Sequence, residues 1–150
     1  MKKITFLVFV FINQGLFSQT TCSTALPVTE GTFTAPAISG NTAITNICTG
    51  SGSATMSVWY SFTPTETSLY TISTDLPVNT GKDTRLHVYS GTCDQLICIG
   101  GDDDSGSGYL SIAQVNLEAN QTYYIVFDNR WSSDGFDFNI EATDSSFTNY

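Results

Sequence analysis

Residues 122–128 read TYYIVFD and decide the fold class of the chain. Apolar and aromatic side chains occupy both faces of this stretch, and these residue types favour strands, which predicts a central strand with two buried faces. Further along the chain, residues 136–142 (FDFNIEA) place an apolar residue at every second position. This alternation predicts a second strand that buries one face.

The same alternation recurs through the preceding part of the chain. Clear strands are expected at residues 57–63, 68–74, 84–90 and 95–99. Residues 109–117 change phase part-way, which predicts a strand with a β-bulge, and shorter edge strands are expected at 31–35 and 41–47. About eight strands separated by turn residues predict an all-β fold, an antiparallel β-sandwich.

The first 18 residues have the pattern of a signal peptide. Lys2 and Lys3 precede the apolar run 4–12, and Ser18 supplies a small residue at the expected cleavage point. The apolar run is too short to span a bilayer, so we expect cleavage rather than a membrane anchor.

Removal of this segment leaves one predicted β-sandwich domain, residues 19–143, and a C-terminal tail or linker, residues 144–150. The remaining chain has three basic and fourteen acidic residues, which gives a formal charge of −11. Such a surface repels nucleic-acid phosphates and anionic lipid, so we expect neither nucleic-acid binding nor membrane insertion. The sequence predicts a secreted or cell-surface protein.

Four cysteines follow the predicted signal peptide: Cys22, Cys48, Cys93 and Cys98. An even number of cysteines in an exported protein predicts two disulfides. Four cysteines allow three pairings, and we favour Cys22–Cys48 with Cys93–Cys98 because each closes a local loop. A zinc site is disfavoured because the chain has no Cys-x-x-Cys pair and a single histidine.

Four stretches, taken in order, resemble a known family. They are VWYSFTPTETSLYTIST (58–74), DTRLHVYSGTCDQLICIGGDDD (83–104), QTYYIVFDN (121–129) and GFDFNIEAT (135–143). Together they resemble bacterial pre-peptidase C-terminal domains, most of all those of secreted proteins of the Bacteroidetes type, over residues 55–143.

This resemblance implies a β-sandwich of jelly-roll type appended to secreted peptidases and other exported proteins. It also implies a role in secretion, folding or substrate attachment rather than catalysis. Some related sandwiches bind calcium, and proteins of this type often carry a sorting domain for type IX secretion.

An acidic run, Asp102-Asp103-Asp104, precedes the glycine- and serine-rich residues 105–108. In an extended chain Asp102 and Asp104 project to the same side, and Asp83 can contribute from a neighbouring loop. Because Ca²⁺ binds carboxylate and carbonyl oxygens, the sequence predicts a calcium site at Asp102, Asp104 and Asp83. A solvated acidic turn that protects a sheet edge fits the same residues, and both alternatives stay open.

Trp131 lies in the predicted loop between the last two strands, beside Arg130. An exposed tryptophan there can stack on a sugar or anchor a protein partner, and Tyr109, Tyr89 and Tyr124 can extend the platform. Burial of Trp131 as a plug of the loop is the alternative that we favour.

The sequence predicts a protein without catalytic activity. The only histidine, His87, lies in the middle of a predicted strand and is expected at the surface, and no Gly-x-Ser-x-Gly motif is present. The leading hypothesis is therefore an accessory or binding module of an exported protein, with a polysaccharide or the protein substrate of a parent enzyme as partner. A carbohydrate-binding module and a cell-surface adhesion domain are the alternatives.

Overall fold

The computed structural model of the chain describes residues 19–40 and 42–143. The predicted signal peptide, the predicted tail and Asn41 lie outside these described residues. Within the described ranges, no helix is long and apolar enough to cross a membrane.

The described residues form nine strands and two three-residue 3-10 helices, Cys22–Thr24 and Pro77–Asn79. The strands are β1 (Leu26–Val28), β2 (Gly31–Ala35), β3 (Ser57–Phe62), β4 (Ser68–Ser73), β5 (Arg85–Thr92), β6 (Gln95–Asp102), β7 (Ile112–Leu117), β8 (Tyr123–Asp128) and β9 (Phe136–Ala142). The strand expected at 41–47 is wrong, since residues 42–47 form none, and β1 was not predicted. The predicted bulge at 109–117 is also wrong, because β7 starts only at Ile112. A shift of register does occur between β5 and β6, at Val88 and Tyr89 of β5.

The strands build two sheets with the orders β1-β3-β8-β5-β6 and β2-β9-β4-β7. From β2 onward, every connection except the β5–β6 hairpin crosses from one sheet to the other, and the neighbouring strands are antiparallel. This interleaving is the double-sheet order of a jelly roll. The predicted all-β sandwich is therefore confirmed, and β8 lies between β3 and β5 as a central strand.

The inner faces of the two sheets form the main core. Aromatic side chains cross between the sheets: ring centroids of Tyr60 and Phe138 are 4.7 Å apart, and those of Phe127 and Phe138 are 5.1 Å apart. All three residues are almost fully buried. A one-residue slip would turn each of these side chains to the opposite face, so this core fixes the strand register.

A second apolar layer covers the outer face of the five-stranded sheet. Residues 42–54, the cover segment, run over this face, and Ile44 packs with Trp59, Tyr89 and Val126. Trp59 is buried in this layer. The outer face of strands β3, β5 and β8 is therefore interior, although it faces away from the other sheet.

Two disulfides fasten this layer, but not in the favoured pairing. Cys22 is bonded to Cys93 and Cys48 to Cys98. The bridge from Cys22 joins the N-terminal 3-10 helix to the β5–β6 hairpin, and the bridge from Cys48 joins the cover segment to β6. The expectation of two disulfides is confirmed, while the assumption that each closes a local loop is wrong.

A buried ionic network lies beneath the cover segment. One oxygen of Asp128, Oδ2, accepts hydrogen bonds from Arg85 Nε at 2.9 Å and from His87 Nε2 at 2.8 Å. Arg85 also donates to the Ser51 carbonyl at 3.1 Å, and His87 Nδ1 accepts from the Cys48 amide at 3.2 Å. The expected surface position of His87 is therefore wrong, because alternation identifies a face of the strand but not the segment that covers it.

The charge of Asp128 is retained in spite of its burial. Burial alone raises the pKa of this carboxyl, but hydrogen bonds from His87, Arg85 and the Arg130 amide outweigh burial and lower the pKa below its usual range. A carboxylate whose pKa is lower in the folded state contributes stability above the pKa of the unfolded chain, about 3.9. This contribution disappears as the pH falls through the folded-state pKa.

We expect Asp128→Asn to lower the free energy of unfolding by about 3–5 kcal/mol at pH 7, since it leaves the Arg85 guanidinium buried without its counterion. Urea unfolding of both proteins from pH 7 downward measures this loss. The difference should shrink as the pH is lowered below about 4, where the carboxyl becomes protonated in the unfolded chain, and should disappear as the pH falls through the lowered folded-state pKa. Asp134→Asn, at an exposed carboxylate, is the control, and a loss equal to that of this control would contradict the role of the network.

Candidate functional site

Four loops meet at one end of the sandwich, which we call the loop end. They are residues 49–56, 75–84, 103–111 and 129–135. Strands β4, β6 and β8 end here, and β3, β5, β7 and β9 begin here. The loops lie at the same end of the sandwich because the strands that they connect run in opposite directions. Side chains then join them: Lys82 Nζ donates to the Gly135 carbonyl, and the indole of Trp131 donates to Asp103.

Three carboxylates converge at the loop end. Asp83, Asp103 and Asp104 each offer one oxygen, and these oxygens all lie within 4.8 Å of one another. Asp83 Oδ1 is buried and has no hydrogen-bond partner among the described residues. A buried oxygen without a hydrogen-bond donor costs free energy, and so does repulsion between carboxylates. Among the described residues, this cluster is therefore where a bound cation would offset the largest cost.

The electrostatics of this cluster are unfavourable without a cation. Burial, followed by repulsion from Asp104 and Asp103, raises the pKa of Asp83. Loss of solvent contact, followed by repulsion from Asp103 and Asp102, raises the pKa of Asp104. Both shifts mean that the charged carboxylates are less stable here than in the unfolded chain.

Asp102 has a different position from the predicted one. Its Oδ2 accepts hydrogen bonds from the Ser105 amide at 3.1 Å, from Ser105 Oγ at 2.6 Å and from the Ile112 amide at 2.7 Å. The prediction assumed an extended chain through Asp104, whereas β6 ends at Asp102 and the chain turns there. Asp103 thus joins the cluster in place of Asp102. The spacing Asp-x-x-Ser, which is typical of a side-chain-capped turn, is the sequence signal that indicates this arrangement.

A glycine and a buried hydroxyl place Asp103. A Cβ atom on Gly50, which has φ of +68°, would come within 2.7 Å of Asp103 Oδ2, so only glycine lets the cover segment approach so closely. Beneath the loop, Ser111 Oγ contacts the Thr84 carbonyl at 2.7 Å and the Asp103 carbonyl at 3.0 Å. The hydroxyl thereby ties the loop that carries Asp103 to the start of β5, beside Asp83.

Trp131 lies at the same end, and its favoured burial as a plug is wrong. Half of its surface (50%) is exposed, and Nε1 donates to Asp103 Oδ1 at 3.0 Å. The Arg130 guanidinium lies over the indole ring, 4.5 Å from its centroid. These two contacts hold the indole in one orientation, so the acidic run and the Trp131 loop form one site through Asp103.

The three tyrosines of the predicted platform do not lie together. Tyr109 is 62% exposed at the loop end, where its carbonyl accepts the Thr84 amide and its backbone bridges to Asp83. Tyr89 is buried under the cover segment, and Tyr124 packs against that layer. Of the three, only Tyr109 can therefore join Trp131 and Arg130 in a surface at the loop end.

Comparisons of the chain with protein-family models, curated proteins and solved structures gave no match.

Opposite effects are expected at neighbouring aspartates when divalent cations are removed with EDTA. Asp102→Ala should lower the free energy of unfolding by about 1–3 kcal/mol, because the Ile112 amide loses its acceptor. Asp104→Asn should raise it, because the substitution removes a repelled charge. Chemical denaturation of both variants at pH 7 measures the two signs. Destabilisation of similar size in both variants would show that Asp102 and Asp104 do not have the distinct roles described.

Proposed function

We propose that the chain is a non-catalytic accessory module of an exported protein, and that a calcium ion stabilises its loop end. The observation that carries the proposal is the buried, unpartnered Asp83 Oδ1 beside the carboxylates of Asp103 and Asp104. Asp102, which the sequence predicts as a ligand, instead supports the loop. The ion would stabilise the loop end rather than act in catalysis.

The chemical type of the donor atoms and the distances between them both favour calcium. All three side chains offer oxygen, the donor preferred by hard cations, and Ca²⁺–oxygen distances are about 2.3–2.6 Å. Two ligands on opposite sides of such an ion are therefore about 5 Å apart. Oxygens that lie within 4.8 Å of one another fit around one ion, with water or carbonyl oxygens completing the coordination.

Two further observations support an exported, non-catalytic role. Both disulfides are typical of an oxidising compartment. The single histidine, His87, is buried with Nε2 bonded to Asp128 and Nδ1 bonded to the Cys48 amide, so both ring nitrogens serve the fold. The general base used most often by enzymes is thus committed to structure.

Thermal unfolding of the oxidised domain in millimolar Ca²⁺ and in EDTA tests the proposal. Calcium at one hundred times its dissociation constant should stabilise by about 2.7 kcal/mol, a shift of several degrees in the midpoint. Asp83→Asn and Asp104→Asn should each remove the shift, while Asp134→Asn, the control, should keep it. An unchanged midpoint in wild-type protein at saturating Ca²⁺ would falsify the calcium site.

A second candidate function is carbohydrate binding at the loop end. The favouring observation is that Trp131 is exposed yet held by Asp103 and Arg130, because an indole that is already oriented loses little entropy on stacking against a sugar ring. Tyr109 adds a second exposed aromatic ring at this end. A polysaccharide, or the protein substrate of a parent enzyme, is the proposed partner, and the same surface would serve a cell-surface adhesion domain.

Retention on insoluble polysaccharides tests this candidate. We expect wild-type protein to be retained on at least one polymer and Trp131→Ala to lose retention about tenfold or more, as at a binding hot spot. Val78→Ala removes another exposed apolar side chain of the same end and should bind normally. Equal retention of all three proteins, or none on any polymer, would contradict a carbohydrate site at Trp131.

A further inference from the structure

The residue that follows the predicted cleavage point belongs to the folded domain. Gln19, which removal of the signal segment would make the first residue, is buried, with 9% of its surface exposed. Its carbonyl accepts a hydrogen bond from the Trp59 amide at 2.8 Å, and its side-chain Nε2 donates to the Tyr60 hydroxyl at 3.0 Å. Both partners belong to β3, so Gln19 contacts the five-stranded sheet.

Two features hold Gln19 in this position. A few residues along the chain, the Cys22–Cys93 disulfide fixes the same segment to the tip of the β5–β6 hairpin. If Gln19 moved away, the amide of the buried Trp59 would lose its acceptor, and a buried donor without a partner costs free energy. The first residue of the processed chain is therefore held against the sheet.

Cleavage before Gln19 creates an α-ammonium group on this buried residue. A charged amine that is taken out of water needs a counterion or hydrogen-bond acceptors to offset the lost hydration. Among the described residues, the two that hydrogen-bond to Gln19 are Trp59 and Tyr60, and neither carries a carboxylate. A linear, charged N-terminus is therefore unfavourable in this position.

We propose that Gln19 closes to pyroglutamate after the signal segment is removed, and that the neutral ring docks beside Tyr60. The inference rests on the export proposed above, because only cleavage frees the α-amine. The amine nitrogen attacks side-chain Cδ, the bond from Cδ to Nε2 breaks, and ammonia leaves. The product is an uncharged five-membered lactam, and no oxidant or reductant takes part. Closure precedes docking, since the folded chain buries the residue.

The Tyr60 hydroxyl suits both forms of the residue. It accepts a hydrogen bond from Nε2 of the glutamine, and because a hydroxyl both donates and accepts, it can donate to the lactam carbonyl once Nε2 has left. Burial raises the pKa of Tyr60 to about 12, so the phenol keeps its proton at neutral pH. Ring closure thus replaces one hydrogen bond with another and removes a buried charge.

Mass spectrometry of the exported full chain and of its N-terminal peptide tests the modification. The exporting host supplies a glutaminyl cyclase in the same compartment, and Gln19→Asn, which cannot close a five-membered lactam, is the control. We expect the wild-type chain to begin at Gln19 and to lack the mass of one ammonia molecule, while the control keeps its full mass. A linear Gln19 terminus would overturn the modification and leave export intact. A chain that keeps the signal segment, or begins at another residue, would overturn it together with the cleavage on which it rests.

Thermal unfolding in EDTA tests the docking of the ring. Wild-type protein exported without the cyclase supplies the linear form, which its mass verifies. We expect the lactam form to unfold several degrees higher than the linear form at pH 6, with a smaller difference at pH 9.5. The reason is that the linear amine becomes charged below the α-amino pKa of the unfolded chain, about 7.7–8.0, so its burial lowers stability only there. Equal midpoints at pH 6, or a difference that does not change with pH, would overturn the docking.

Cleavage by pyroglutamyl peptidase in EDTA gives a second readout, because this enzyme must reach the ring. The native lactam protein should be cleaved much more slowly than its isolated N-terminal peptide. Tyr60→Phe should speed native cleavage about two- to tenfold through the loss of one hydrogen bond, whereas Tyr109→Phe, at an exposed tyrosine, should match wild-type protein. Rapid cleavage of the native protein, or equal rates for Tyr60→Phe and wild-type protein, would contradict a docked ring. Neither measurement bears on calcium, which is absent from both.

Discussion

The buried Asp128 carboxylate is the interaction on which the outer half of the structure depends. It ends the central strand β8 and lies between Arg85 and His87 of the neighbouring strand β5. Those two side chains hold the cover segment through the Ser51 carbonyl and the Cys48 amide, while Asp128 Oδ1 accepts the amide of Arg130. One charge thus joins the sheet, the segment that covers it and the loop that carries the exposed tryptophan. An uncompensated charge in this position would be costly, so each charged member of the network depends on its partners.

Much of the fold could be predicted from the sequence, because alternation reports which residues share a face of a strand. In β5, alternation separates Leu86 and Val88, which lie in the main core, from Arg85, His87 and Tyr89, which lie under the cover segment. Alternation carries no information about what covers the second face. The cover segment is rich in glycine, serine and threonine, so its sequence resembles an exposed loop, and a polar strand face beneath it resembles a solvated one. Burial of His87 depends on contacts with residues about forty positions away, such as Cys48.

The disulfide pairing shows the same limit at longer range. A bridge from Cys93 to Cys98 is local in sequence, but the chain between them is mostly the extended strand β6, which rises about 3.3 Å per residue. The strand from Gln95 to Cys98 alone spans roughly 10 Å, whereas bridged cysteines need Cα atoms about 4.4–6.8 Å apart. The observed partners, Cys22 and Cys48, come from segments that cross the outer face and are 5.5 Å and 5.4 Å away between Cα atoms. Closeness in sequence is thus a poor guide to disulfide pairing when the chain between two cysteines is an extended strand of a hairpin.

The sequence presents the acidic run and Trp131 as two separate features, and the jelly-roll order explains why they form one site. Strands β6 and β8 both end at the loop end with β5 between them, so residues 28 positions apart come into hydrogen-bond contact. Asp103 is the shared residue, because its carboxylate accepts the indole N–H and also belongs to the cluster with Asp83 and Asp104. A carboxylate has about four lone-pair sites, enough to accept the indole and to bind a cation on another side. A cation that fixes this carboxylate would therefore also fix the orientation of Trp131, and the two candidate functions of the loop end are physically coupled through one side chain.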